Sequence, residues 1–234
     1  MSLDALKEEV YRINRAIVDA GLVVLTWGNA SGVDRASGVM VIKPSGVDYD
    51  SLSPADMVVV SLEDGRTVEG KLRPSSDSPT HLVLYRKFRN IGGIVHTHST
   101  YATSWAQACR DIPCLGTTHA DHFGGAVPAA RKLTSDDLEA YEARTGDVIA
   151  ECFAQRGIDP DEIPAVLLPH HGPFAWGPDP RHALENAIAL EQVAKMATYT
   201  YLVNPDAPDI PDNLLEKHFR RKHGPKAYYG QKGG

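Results

Sequence analysis

Ten histidines stand in this 234-residue chain, and those between 96 and 171 fall in three short, distinctive segments. In GGIVHTHS (92–99), His96 and His98 close an apolar run. Residues two apart in a strand share a face, so both imidazoles can be offered to one ion. A second apolar run, AVLLP (165–169), leads straight into His170 and His171, followed by Gly-Pro. A third imidazole from this strand end can join the first two, and three neutral nitrogens with an open position describe a catalytic zinc-type site. Hydrogen-bonded strand-end histidines are the competing reading, and the occurrence of two such strand ends in one chain favours the metal.

Other segments supply different chemistry. GTTHADHFGG (116–125) sets Asp121 between His119 and His122 among glycines and threonines, where a carboxylate can act as general acid or base or simply face water in a turn. From that segment alone the solvated turn is the stronger reading. TWGNASG (26–32), KPSG (43–46) and PSSDSPTH (74–81) offer hydroxyls, backbone N–H groups and, at Lys43, a cation. The last precedes a helical pattern whose N-terminus favours negative charge. None matches a nucleotide-binding glycine loop. Each alone is usually a turn; together with a metal they suggest a small phosphorylated substrate. Trp27, Trp105, Phe174 and Trp176 read as core or pocket wall, and the acidic stretch 135–142 as a solvated helix face.

The positioning elements follow from periodicity. Leu3, Leu6, Val10, Ile13 and Ile17 predict an opening helix that stops at Gly21. LVVLTW (22–27), VMVIK (39–43), MVVVS (57–61) and TVEG (67–70) read as strands of a meander. Helical spacing returns from Pro79 to Phe88, near Tyr101–Ala108, from Ser135 to Gln155, from Arg181 to Val203 with Leu184, Ile188, Val193 and Ala197 inward, and from Asp212 to His223. Strict βαβ alternation is absent, which predicts an α/β fold with a mostly antiparallel or mixed sheet covered by helices, in a single domain over 1–234.

Composition limits the function. Lys and Arg number 24 against 30 Asp and Glu, a formal charge of −6, so nothing favours a nucleic acid or an anionic membrane. The opening MSLDALKEEV has no apolar signal segment, and runs such as MVVV and AVLL fall far short of the roughly 18 residues of a membrane span. Three cysteines, Cys109, Cys114 and Cys152, without a C-x-x-C pair suit a reducing compartment. A cytoplasmic protein is expected.

Taken in order and spacing, TWGNASG, KPSGVDYD, PSSDSPTH, GGIVHTHS, GTTHADHFGG, HHGPFAWG and KHGPKAYYGQ resemble the sugar-phosphate epimerases of the class II aldolase/adducin family. The likeness runs from the first helix to Gln231 and implies a class II aldolase-like three-layer fold. It implies one Zn²⁺ per subunit, replaceable by Mn²⁺ or Co²⁺, held by His96, His98 and His171 rather than His170, with Asp77 beside the ion. Asn29, Lys43, Ser45, Gly46, Ser75 and Ser76 match positions that hold the substrate phosphate and neighbouring hydroxyls. Asp121 and Tyr229 match the two proton-transfer residues. The tyrosine is implied to reach over from an adjacent subunit of a homotetramer, and His218 lies in the tail, about 217–234, that completes that shared site. His122 stands where the family pattern leads one to expect tyrosine, which affects the surroundings of Asp121.

The implied reaction is inversion at C4 of a 2-ketopentose 5-phosphate, in pentose breakdown with L-arabinose as the expected source. The C4 hydrogen is not adjacent to the ketone, but C3–C4 is the bond of a β-hydroxy ketone. Cleavage and re-addition on the opposite face therefore invert C4. Aldolases of the family that act on fuculose or rhamnulose phosphate are the nearest alternative, disfavoured because Asp77 replaces their usual glutamate. An adducin-like binding domain is disfavoured because all three histidines are present.

Overall fold

The first apolar stripe behaves as its spacing requires. Leu6, Val10, Ile13 and Ile17 are buried along helix α1 (Leu3–Asp19), which is capped by the Ser2 hydroxyl accepting from the Ala5 amide. Buried Asn14 ties this helix to the sheet: its amide donates to the Ala30 carbonyl at 3.0 Å, and its carbonyl accepts from the Ala30 N–H at 2.9 Å. The computed structural model describes residues 2–224 and 227–229.

Among these residues seven strands form one sheet: β1 (Asn29–Asp34), β2 (Val39–Ile42), β3 (Val58–Ser61), β4 (Thr67–Glu69), β5 (Gly93–His96), β6 (Ala165–Leu168) and β7 (Gly172–Gly177). Their order is β4-β3-β2-β1-β5-β7-β6, and every neighbouring pair is antiparallel, so the expected mostly antiparallel sheet is antiparallel throughout. The period of two along β1 sorts the layers. The Ser31 hydroxyl faces His81 and Tyr85 of α2 (Ser78–Lys87), while a Cβ at Gly32 would meet Leu6 and Val10 of α1 and Pro180 of α6 (Pro180–Val203). Helices α1, α6 and α3 (Thr100–Gln107) cover that second face. On the first face α2 pairs with α5 (Tyr141–Arg156), and Phe88 and Phe153 pack on Trp176 of β7. The short α4 (Thr117–Ala120) packs against α7 (Asp212–Lys222). A three-layer single domain results.

Close approach explains two glycines. A Cβ at Gly93 would lie 2.4 Å from the Pro180 Cα, so α6 can rest directly on β5. At Gly146 a Cβ would lie 2.6 Å from that of Val83, so α5 can rest on α2.

Four expectations need correction. LVVLTW forms no strand: Leu25 adopts φ +55°, and Val24, Leu25 and Trp27 are exposed, because the segment lies along the rim of a cavity and not in the sheet. The strand begins two residues later with Asn29, where the pattern is polar. The 135–155 helix is broken into a 3-10 turn at Asp136–Ala140 and α5. On α6 the inward residues are Ala183, Ala187, Leu190, Val193, Ala194 and Ala197 while Ile188 is exposed, since close packing on β5 selects small side chains. Strand β7, GPFAWG, carries no strand pattern in the sequence because its glycines and proline resemble a loop. Among the described residues, no helix is long and apolar enough to cross a membrane.

Candidate active site and metal centre

His96 is the last residue of β5, with Asn29 of β1 on one side and Phe174 of β7 on the other. Its Nδ1 lies 2.9 Å from the Pro173 carbonyl, an acceptor only, so that nitrogen carries the proton and Nε2 keeps its lone pair. His98 follows beyond the strand end, and the extended chain still places both imidazoles together, with their Nε2 atoms 3.2 Å apart. The β6–β7 turn resolves the His-His pair. His170 takes the left-handed conformation at φ +61° and is exposed, which turns His171 inward. One nitrogen each of His96, His98 and His171 lies within 4.8 Å of the others.

Glycines allow the backbone to close around this strand end. A Cβ at Gly28, whose φ is +89°, would lie 2.6 Å from the His96 carbonyl oxygen, and one at Gly172 would lie 2.7 Å from that of Thr97. Both approaches exclude a side chain.

The electrostatics keep the cluster competent for a cation. Burial, reinforced by His96 and His98, lowers the His171 pKa to about 3, and burial also lowers that of His98, so these rings are neutral donors near pH 7. Asp77 stands at the N-terminal end of α2 and accepts from the Asn29 amide at 2.7 Å, with its carboxylate 4.0 Å from the His96 Nε2. Burial alone would raise its pKa; His96, His81 and the Asn29 amide outweigh that and hold it below the ordinary carboxylate value. Three convergent imidazoles beside an ionised carboxylate fit a divalent ion.

The same cavity, about 480 Å³, is lined by Asn29, Lys43, Ser45, Gly46, Ser75, Ser76, Asp77 and the three histidines. Two of its loops are zipped together, the Ser75 amide donating to the Lys43 carbonyl at 2.9 Å and the Ser45 amide to that of Arg73 at 3.0 Å. Lys43 is 1% exposed, its ammonium donates to the Val47 carbonyl at 2.6 Å, and it lies 4.6 Å from the Tyr49 ring centre. Burial lowers its pKa to about 8. One wall is thus suited to an anion and the other to a cation.

Thr26, Trp27, Gly28, Pro44, Tyr141 and Glu142 complete the lining. Trp27, expected in the core or a pocket wall, lies at the wall. Tyr141 and Glu142 fall inside 135–142, the stretch whose acidic pattern predicts a solvated helix face. No local signal marks them; they reach the cavity only because α5 packs on α2, with the Thr80 hydroxyl donating to the Glu142 carbonyl at 2.6 Å.

Asp121, His218 and Tyr229 are brought together, but elsewhere. The Asp121 carboxylate, 13% exposed, accepts from Arg221 Nε at 3.0 Å and Nη2 at 2.7 Å and lies 3.0 Å from His218 Nδ1. It is no solvated turn. The Arg221 guanidinium in turn lies 4.7 Å from the Tyr229 ring centre. Burial would raise the Asp121 pKa, but the Arg221 and His218 hydrogen bonds lower it, leaving an ionised carboxylate. None of the three lines the histidine cavity of its own chain. His122 borders a separate cavity with His182 and His223, and the latter's Nε2 lies 3.0 Å from the Asp121 carbonyl oxygen.

The Class II Aldolase and Adducin N-terminal domain matches residues 8–198. The chain is 50% identical over 231 residues to L-ribulose-5-phosphate 4-epimerase UlaF of Salmonella paratyphi A, covering 98% of this chain and 100% of that protein. The Salmonella typhi protein of the same name is equally similar. Among solved structures, an L-fuculose 1-phosphate aldolase superposes with TM-score 0.80 at 27% identity, covering 94% of this chain and 97% of that one.

Proposed function

Since the chain belongs to the class II aldolase and adducin family, we propose that it is an L-ribulose-5-phosphate 4-epimerase, interconverting L-ribulose 5-phosphate and D-xylulose 5-phosphate. The observation that carries the reading is the two-walled cavity: three convergent imidazoles face Lys43 and the serine loops, in a chain half identical throughout to proteins of that name. The aldolase alternative rests on 27% identity and is the weaker one.

Zn²⁺ suits three imidazoles, with Mn²⁺ or Co²⁺ as substitutes, and when bound it supplies Lewis-acid stabilisation of the enediolate charge at C2 and C3. Lys43, Asn29, Ser45, Ser75, Ser76 and the Gly46 backbone bind the C5 phosphate and retain the aldehyde fragment. A base removes the C4 hydroxyl proton, the C3–C4 bond breaks, and its electrons pass to the C2 carbonyl oxygen. The glycolaldehyde phosphate turns about its anchored phosphate, C3 attacks the other face, and an acid returns the proton to the C4 oxygen. Trp27, half exposed in the cavity wall, limits the entry of water.

Asp121 and Tyr229 are assigned the proton transfers on the two faces. Their joint position away from the histidines supports a homotetramer in which Asp121, His218 and Tyr229 of one chain, with the tail from about 217, complete a neighbour's site. Free Cys109, Cys114 and Cys152 suit a cytoplasmic enzyme of pentose breakdown, L-arabinose being the expected source.

The test is incubation with L-ribulose 5-phosphate in heavy water. D-Xylulose 5-phosphate without deuterium at C4 is expected, because the C4–H bond stays intact. Deuterium entering C4 at the rate of epimerisation overturns the cleavage route, and absence of product overturns the assignment.

A further inference from the structure

Two of the three clustered imidazoles are fixed through their far nitrogen, and by different means. His96 Nδ1 meets a main-chain carbonyl, that of Pro173, at 2.9 Å. His171 Nδ1 meets a side chain, the phenol oxygen of Tyr141, also at 2.9 Å. The Tyr141 ring lies nearly parallel to the His171 imidazole, 17° between planes with centroids 6.1 Å apart. The contact is therefore edge-on between offset rings in almost the same plane orientation, which sets both the tilt of the imidazole and the direction of its Nε2.

Tyr141 is itself held in place. It opens α5 directly after the 3-10 turn Asp136–Ala140. The buried Asp137 carboxylate of that turn accepts from Arg131 Nη1 at 2.7 Å, the Thr134 amide at 2.8 Å and Arg144 Nε at 3.0 Å. The next residue, Glu142, is tied by its carbonyl to Thr80 of α2. A phenol at the end of so constrained a segment has little freedom to follow a moving ring.

We infer that Tyr141 is a positioning residue for the metal centre, accepting the Nδ1 proton of His171 and so holding its Nε2 lone pair on the ion. The inference rests on the proposed metal-dependent reaction, in which His171 is a ligand. A neutral imidazole has one proton for two nitrogens. Accepting it at Nδ1 makes the inward nitrogen the ligand and increases its basicity, the usual service of a group behind a metal-bound histidine. The phenol's own proton is then free to point into the cavity.

Tyr141→Phe removes only the oxygen and keeps the ring. Competition of the purified protein with a chromophoric chelator for Zn²⁺ should show affinity about 10- to 100-fold weaker than wild type. The Co²⁺-loaded variant should show a shifted visible absorption band, which a merely structural loss would not produce in a folded chain. Proton–nitrogen NMR of the Zn²⁺-loaded wild type, which needs no variant to fold, should show His171 protonated at Nδ1. Unchanged Zn²⁺ affinity together with an unshifted Co²⁺ spectrum, or a wild-type His171 protonated at Nε2, overturns the inference while leaving the metal reading intact. A wild type that binds no Zn²⁺ overturns both.

Discussion

The separation of the Asp121–Tyr229 cluster from the histidine cavity has an arithmetic consequence for mixed oligomers. Take one variant damaged in the cavity, His96→Asn, whose amide can still reach the Pro173 carbonyl that now accepts from Nδ1. Take a second damaged in the cluster, Asp121→Asn, in which Arg221 and His218 lose their charged partner. Each parent should be slower than wild type by about 10²- to 10⁴-fold or more, the usual loss for a positioned acid/base group. In the proposed closed ring each site would take its cavity from one chain and its cluster from a neighbour. Random one-to-one assembly then gives an intact cavity in half the cases and an intact cluster in half, so about one quarter of sites are whole. Refolding the two parents together should thus recover about a quarter of wild-type activity. Mixing Asp121→Asn with Tyr229→Phe should recover nothing, because every cluster then carries one lesion or the other. Activity is read as epimerisation after hybrid tetramers are confirmed by native mass spectrometry. If Asp121 instead served the histidines of its own chain, the two outcomes would exchange, and that exchange would refute the assignment of Asp121 to the neighbour.

Stability should fall in acid before carboxylates protonate. Burial lowers His81 to about 3 and His119 to about 4 from the ordinary 6.5, so below pH 6.5 the unfolded chain binds protons that the native chain refuses. Between about pH 6 and 4 the loss should be about 2 to 2.5 kcal/mol per pH unit for these two together, with His171, also lowered to about 3, adding about 1 more in metal-free protein, measured by urea unfolding; a flat profile would count against neutral buried rings. Gly146→Ala should destabilise the fold by about 1–3 kcal/mol by forcing α5 from α2, and an unchanged denaturation midpoint would show that the helices can part freely.

Much of the site was legible because its ligands sit where secondary structure changes. His96, His98 and His171 follow apolar strands, and a strand end both fixes a side chain and opens it to a cleft. Lys43, Ser45 and Ser75 were legible for the same reason. Tyr141 and Glu142 were not, since their approach depends on Gly146 and on the Thr80 hydroxyl, contacts between distant segments that leave no local pattern. Strand β1 was displaced in the reading because apolar 22–27 outweighed polar Asn29 and Ser31. Those two are buried as partners of Asp77, Ser75, His81 and Tyr85, and burial by hydrogen bonding is invisible to hydrophobic periodicity. Asp121 read as a turn because Arg221 lies 100 residues away.

The bare backbones that Gly28 and Gly172 present to the carbonyls of His96 and Thr97 bear on the order of folding and metal loading. In small metal-folded domains the ion supplies the folding free energy, and its removal unravels the chain. Here the ligand-bearing segment is gripped by neighbouring main chain, with the ordering entropy of two glycines met by the sheet and core rather than by the ion. The metal-free chain is then expected to fold with its ligand segment already in place. An ion adds stability only by mass action, in proportion to the logarithm of its free concentration over its dissociation constant. Metal is accordingly expected to exchange in the folded state, and dialysis of the protein against a chelator should remove it without unfolding the chain.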